Sequence, residues 1–362
     1  MKVSKLKNKI VILSLYLIFF LIGDIIFSNF VYKKEVTHNC YKYLETFYYL
    51  EKNCYSKEKW IRKVKSYDVY INSEGFRYSG KNKENKDNVA VFLGGSFTYG
   101  LGHAYEKTFV GIVERNKKKF DIINLGVPGY SPSVFKYQLT KLLDKKILPK
   151  KIFLILDIID VHNEASRWKG SLNNNTPEMV NKISNLEKNE SVDSLKKKNF
   201  KGTRIIARYI NNFFRSIRLK FSTSENITSK PGYSGWGNFT YMKLSETNEK
   251  LWLPYGFEES LKKIELNYKE ISTLSKSINS ELYIVIYPWS DTLEYGQKYF
   301  NWEKFADRLC VITSCSKVIN FFPIFSDIKD NNVNWLSDLY IDGDLHLSEM
   351  GQSIIANKII NQ

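Results

Sequence analysis

Residues 91–100 read VFLGGSFTYG. An apolar run from Val89 to Leu93 meets two glycines and then a serine. A short apolar run bounded by turn residues has the pattern of a strand buried on both faces. Ser96 then stands where a strand gives way to a helix, and in open α/β sheets ligands bind outside the carboxyl ends of the strands. Two roles compete for it: a nucleophile, or a serine that caps the following helix.

The pattern repeats downstream. Phe120–Leu125, Lys151–Ile158, Leu282–Tyr287 and Val318–Phe321 read as further strands. Helical spacing falls on the region from Ser96 through Phe109–Asn116, on Ser133–Leu143, Phe257–Ser277 and Trp302–Arg308, and on a closing helix Ser348–Ile360. Strands alternating with helices predict right-handed βαβ units and a mainly parallel sheet covered on both faces. Residues 166–255 break the rhythm and read as an insertion, with a basic amphipathic piece at 203–220 (TRIIARYINNFFRSIRLK). That piece has two readings, packing on the core or contact with a membrane.

Hydrophobic residues make up 43% of the 362 positions, enough for a substantial core, so wholesale disorder is excluded. The net charge is +16, but the lysines are spread along the chain rather than gathered with arginines and aromatics, and nucleic acid is not the expected partner. Residues 1–9 are a basic tail and residues 10–32 a long apolar stretch broken by Asp24. A stretch of that length crosses a bilayer, and the flanking lysines keep the first residues inside. The expectation is a single-pass signal anchor, with a cleaved signal peptide as the alternative, followed by a juxtamembrane segment, 33–87, packed on an exported domain, 88–362. Export places Cys40, Cys54, Cys310 and Cys315 in an oxidising compartment, and two local disulfides are the favoured of three connectivities. No CxxC spacing points to a metal.

A serine nucleophile needs a base. Of the four histidines, His38, His103, His162 and His346, the last lies in YIDGDLHLSEMG (340–351), two residues after Asp344. A loop there turns a carboxylate onto one imidazole nitrogen and leaves the other for Ser96, with Asp342 as an alternative carboxylate. Backbone amides at Ser96 and Gly126 are placed to receive a developing oxyanion. His103 and His162 read as packing or pocket-lining residues. Trp168, Trp289 and the corner Tyr287-Pro288-Trp289 read as packing, with stacking on sugar rings as the alternative.

Three blocks in this order, GGSFTYG (94–100), NLGVPGY (124–130) and DGDLHLSEMG (342–351), resemble the SGNH/GDSL hydrolase superfamily, and NSEGFR (72–77) resembles the lead-in met before its serine block. The nearest likeness is to exported, membrane-tethered polysaccharide O-acetyltransferases and esterases of the alginate-acetylation type. The resemblance covers residues 68–165 and 280–362 and implies a three-layer α/β/α flavodoxin-like sandwich with an inserted segment. It implies Ser96 as nucleophile, His346 as base, Asp344 as its orienting acid, and Ser96 and Gly126 as oxyanion donors. The family's third donor is an Asn in a Gly-x-Asn-Asp block; here Ile159 stands in its place, Asp160 matches the last residue, and Asn163 is the substitute if the loop turns. Arg77 is expected to pair with Asp160 or to meet an anionic substrate. The resemblance implies no cofactor and no metal, an acylated glycan or lipid substrate, and a membrane acyl-transfer partner. The missing Asn leaves a catalytically inactive, glycan-binding relative as the rival, with a lipid or thioester hydrolase as a second.

Overall fold

The computed structural model describes residues 12, 14–16, 18–24, 40–61, 64–80, 88–117, 119–169, 176–180 and 235–362. The chain divides into two units, Met1–Val36 with Lys182–Asn226, and Thr37–Asn181 with Ile227–Gln362. In the first, the described residues between 12 and 24 are helical. Among the described residues no helix is long and apolar enough to cross a membrane. The remaining residues of the expected span, and the amphipathic piece at 203–220, lie outside the described residues.

The second unit holds the strands β1 (Tyr41–Tyr43), β2 (Tyr48–Leu50), β3 (Cys54–Glu58), β4 (Tyr67–Ile71), β5 (Arg77–Tyr78), β6 (Val89–Leu93), β7 (Asp121–Asn124), β8 (Lys151–Leu156), β9 (Glu281–Ile286) and β10 (Lys317–Asn320). Its helices are α1 (Ser96–Tyr99), α2 (Phe109–Asn116), α3 (Pro132–Asp144), α4 (Ile158–Ser166), α5 (Phe257–Ser277), α6 (Ser290–Tyr295), α7 (Trp302–Thr313), α8 (Phe322–Asn331), α9 (Trp335–Leu339) and α10 (Glu349–Ile360). The sheet runs β10-β9-β8-β6-β7-β5-β4-β3. Its first five strands are parallel, and their order is that of a flavodoxin-like doubly wound sheet.

Right-handed crossovers decide which face each helix covers. The step from β6 to β7 goes one way along the sheet, and the steps to β8, β9 and β10 go the other. This puts α2 on one face and α3, α4, α5 and α7 on the opposite one; α10 packs on α2, and α5 packs on α3, α4 and α7. Covered on both sides, β6, β8 and β9 are apolar along nearly their whole length. Phe92, Phe153 and Tyr283 stand in register across β6, β8 and β9 and stack at 4.6 and 5.0 Å. Such pairs are worth ~0.5–1.5 kcal/mol beyond their burial.

Two expectations are corrected. The helix foreseen from Ser96 through Asn116 is broken: α1 ends at Gly100 in the left-handed region (φ +83°), and α2 starts anew from Thr108, whose hydroxyl accepts the Gly111 amide at 3.1 Å. The segment before the domain does more than pack on it, because β5, β4 and β3 extend the main sheet beyond β7, each antiparallel to the strand before it in the sheet. Both close cysteine pairs are bonded, Cys40–Cys54 and Cys310–Cys315.

Candidate active site

The strand order reverses between β6 and β8, and this switch point opens the crevice in which ligands sit in such sheets. A cleft of about 560 Å³ occupies it, lined by residues that include Ser96, Gly129, Ile159, Asn163, Trp236 and His346. Ser96 is the first residue of α1, directly beyond Gly94 and Gly95 at the end of β6, and half-buried.

His346 reaches Ser96 from the other end of the chain. Its loop lies between α9 and α10 and is closed by a bridge from Tyr340 to Leu347 and by the Ile341 amide on the His346 carbonyl at 2.8 Å. The Tyr340 hydroxyl ties it to the Pro288 carbonyl at 2.9 Å, just beyond β9. His346 Nε2 is 2.8 Å from Ser96 Oγ. On the far side of the ring, Nδ1 is hydrogen-bonded to Asp344 Oδ1, which also accepts the His346 amide at 2.8 Å. Oδ2 of Asp344 accepts the indole N–H of Trp60 at 2.9 Å. This network assigns the proton to Nδ1, so that Nε2 accepts from the serine hydroxyl. Burial pushes the Asp344 carboxyl up, but its hydrogen bonds to His346 and Trp60 and the imidazole charge outweigh burial and hold it below its usual value. Asp342 is exposed, and Asp344 is the carboxylate on the imidazole. Phe97 and Trp60 pack on the His346 ring at 4.7 and 5.4 Å.

Gly126 does not line the cleft. Its amide is donated to Asn124 Oδ1 at 2.8 Å, and a Cβ there would stand 2.3 Å from the Tyr99 nitrogen, so its missing side chain serves the packing of α1. The residue of this block in the cleft is Gly129, with φ +80°, a conformation that favours glycine. Its carbonyl accepts the Trp168 indole at 3.0 Å. Of the two glycines in this block, Gly129 and not Gly126 therefore lines the cleft beside Ser96.

Asn163 is in the cleft. Asp157 caps α4, and Ile159 and Asn163 follow four residues apart on one face of that helix, both lining the cleft. Asn163 is 1% exposed, and its Nδ2 has no hydrogen-bond partner among the described residues. A buried donor left unpaired is costly unless a ligand takes it.

Asp160 and Arg77 do not meet. Asp160 Oδ2 accepts the Asp157 amide at 3.0 Å in a capping box, and burial, with the nearby Asp157 charge, pushes its carboxyl up. Asp157 accepts from Tyr287 at 3.0 Å and Trp289 at 2.8 Å, which gives that corner a buried hydrogen-bonding role. Arg77, 1% exposed, donates to the carbonyls of Tyr99, Gly100 and His103 and lies 4.4 Å from the Tyr99 ring centre, so it braces the loop after α1. His103 meets the Leu347 carbonyl at 2.7 Å, and His162 the Leu251 carbonyl at 2.8 Å; burial pushes both imidazoles down. Trp168 and Trp289 are buried, whereas Trp60 and Trp236 are the tryptophans exposed at the cleft. Sequence reasoning missed Trp60, Gly129 and Trp236; only the second glycine of NLGVPGY left a readable signal.

No family model matches the chain, and no curated protein matches it. Solved structures do resemble it. A lipolytic protein of the G-D-S-L family from Desulfitobacterium hafniense is 11% identical, covering 76% of this chain and 99% of its own, with a TM-score of 0.40. The psychrotrophic esterase EstA from a Pseudoalteromonas species is 14% identical, covering 76% and 96%, with a TM-score of 0.39. An acetylxylan esterase from Geobacillus stearothermophilus is 10% identical, covering 77% and 95%, with a TM-score of 0.40.

Proposed function

We propose that this chain is a serine esterase or O-acyltransferase of the SGNH type, working through an acyl-serine intermediate. The observation that carries the reading is the line Ser96–His346–Asp344, with 2.8 Å between hydroxyl and imidazole and a carboxylate on the opposite ring nitrogen. His346 Nε2 takes the proton of Ser96 as Oγ bonds to the ester carbonyl carbon. Asp344 holds the ring's tautomer and stabilises the imidazolium. The carbonyl oxygen becomes an oxyanion, received by the amides of Ser96 and Gly129 and by Asn163 Nδ2. The tetrahedral adduct collapses, the alcohol leaves with the proton from Nε2, and acyl-Ser96 remains. Water or a sugar hydroxyl then gives its proton to His346 and takes the acyl group, regenerating the serine.

The substrate is best read as an acetyl ester on a cell-envelope polysaccharide. Exposed tryptophans at the cleft fit a sugar chain. The two disulfides are compatible with an oxidising compartment. Residues 10–32 serve as a membrane anchor in this reading, with a membrane protein delivering acyl groups if the acceptor is a sugar. The unpaired side-chain amide of Asn163 in the cleft weighs against an inactive, purely glycan-binding chain, since in this reading it takes the place of the donor whose absence motivated that rival. A fluorophosphonate probe tests the reading: the full chain should be labelled and Ser96→Ala should not, whereas no labelling of the wild type removes the reading.

A further inference from the structure

The cleft holds a cation that this reaction does not use. Ile159, Asn163 and Arg167 line it at four-residue intervals along α4 and its C-cap, where Arg167 keeps helical angles (φ −103°, ψ −46°). The Arg167 guanidinium lies against Gly129, its Nη1 only 2.1 Å from where a Cβ at that residue would stand. The Tyr48 hydroxyl is hydrogen-bonded to Arg167 and itself donates to the Pro128 carbonyl at 2.7 Å, so the side chain is held in place. Among the described residues Arg167 has no carboxylate partner. The two carboxylates lining the cleft are engaged elsewhere: Asp344 by His346 and Trp60, Glu58 by the hydroxyls of Tyr67 at 3.4 Å and Tyr99 at 3.2 Å. Lys59 adds a second cation to the lining.

We propose that Arg167 sets the specificity of the cleft by binding an anionic oxo group, a carboxylate or a phosphate, on the molecule whose ester Ser96 attacks. The inference rests on the esterase reading above and adds the charge of its substrate. A guanidinium presents a rigid fork that matches either group with two parallel hydrogen bonds. A fork already held by Tyr48 loses little freedom on binding. Its contact with Gly129 places the anion beside the oxyanion donors rather than at the cleft mouth. Trp236, 40% exposed and stacked on His162 at 6.0 Å, offers a ring face to the same ligand.

The test compares kcat/KM of the full chain on an O-acetylated oligogalacturonate, its methyl-esterified neutral form and an acetylated hexose phosphate. An anionic ester should be preferred over the neutral one by roughly 10–100-fold, the worth of a charge-assisted pair. Whichever acid is preferred identifies the group. Arg167→Gln should erase the preference and Arg167→Lys retain part of it, which separates loss of charge from loss of fold. No preference in the wild type, or an unchanged preference in Arg167→Gln, overturns the proposal. Calorimetry on Ser96→Ala with deacetylated oligogalacturonate and hexose phosphate, with and without Arg167→Gln, reads the same anion site without turnover. If fluorophosphonate labelling fails while this Arg167-dependent binding persists, the reaction is wrong and the anion site stands; labelling without such binding removes the anion site and leaves the esterase standing.

Discussion

The indole N–H of Trp60 donates to Asp344 Oδ2 at 2.9 Å, joining the segment that follows β3 to a carboxylate near the chain's end. With His346 on Oδ1, both oxygens of the carboxylate are fixed. Trp60→Phe keeps the ring against His346 and removes the donor. It should lower kcat by about 10-fold with KM little changed, in proportion to one hydrogen bond to a charged group. Steady-state kinetics on a small neutral acetate ester reads this, and an unchanged kcat shows that Trp60 only packs.

Asn163 separates catalysis from stability. Its Nδ2 makes no hydrogen bond among the described residues, so Asn163→Ala should leave thermal stability within about 1 kcal/mol of wild type, as for a site with no network to break. The rate should fall ~100–1000-fold, the cost of one oxyanion donor. Fluorophosphonate labelling of Ser96 should persist more slowly. A large loss of stability with normal kinetics contradicts the role.

Much of this was legible in the sequence because buried parallel strands are nearly continuous apolar runs, which β6, β8 and β9 are. The 21-residue α5 was equally clear from its apolar spacing. The strands β3, β4 and β5 were not, because they are short and alternate buried with more accessible positions in a segment that reads as packed on the domain rather than as part of its sheet. Gly126 and Gly129 lie in one loop after β7, and which of them is spent on Asn124 is decided by packing against α1 rather than by spacing. Asn163 falls one helical turn beyond Ile159, and its place in the cleft depends on where Asp157 starts α4.

Asp291 gives a pH signature. Burial pushes its carboxyl up to about 6, against the hydrogen bonds it accepts from the Thr292 amide and Tyr241. Below the unfolded pKa both states are protonated and there is no penalty. As pH rises toward 6 only the unfolded chain ionises, so stability falls by up to ~3 kcal/mol and then levels off. Asp291→Asn should therefore raise Tm at pH 7 and give no gain at pH 3.5. An equal gain at both pH values, seen in thermal unfolding, contradicts the sign.

The Cys40–Cys54 bond closes a 14-residue separation and ties the β1–β2 hairpin to β3, which leads to Trp60. Cys40→Ser with Cys54→Ser should cost about 3 kcal/mol, the loop-closure value for this length. Activity should fall with it as Trp60 loses its footing, and unfolding and kinetics on the same preparation read both. Cys310–Cys315, within α7 and its C-terminal turn, is remote from Trp60, and its removal should leave kcat unaltered.

The central claim is that one pocket brings the Ser96 hydroxyl to the His346 imidazole for acyl transfer. The most direct measurement is peptide mapping by mass spectrometry after mixing the full chain with 4-nitrophenyl acetate and quenching in acid within the first turnover. The account expects acetyl on Ser96 in the wild type, far less in His346→Ala, and none at that position in Ser96→Ala. Acetylation at another residue, or equal acetylation of Ser96 with and without His346, contradicts it.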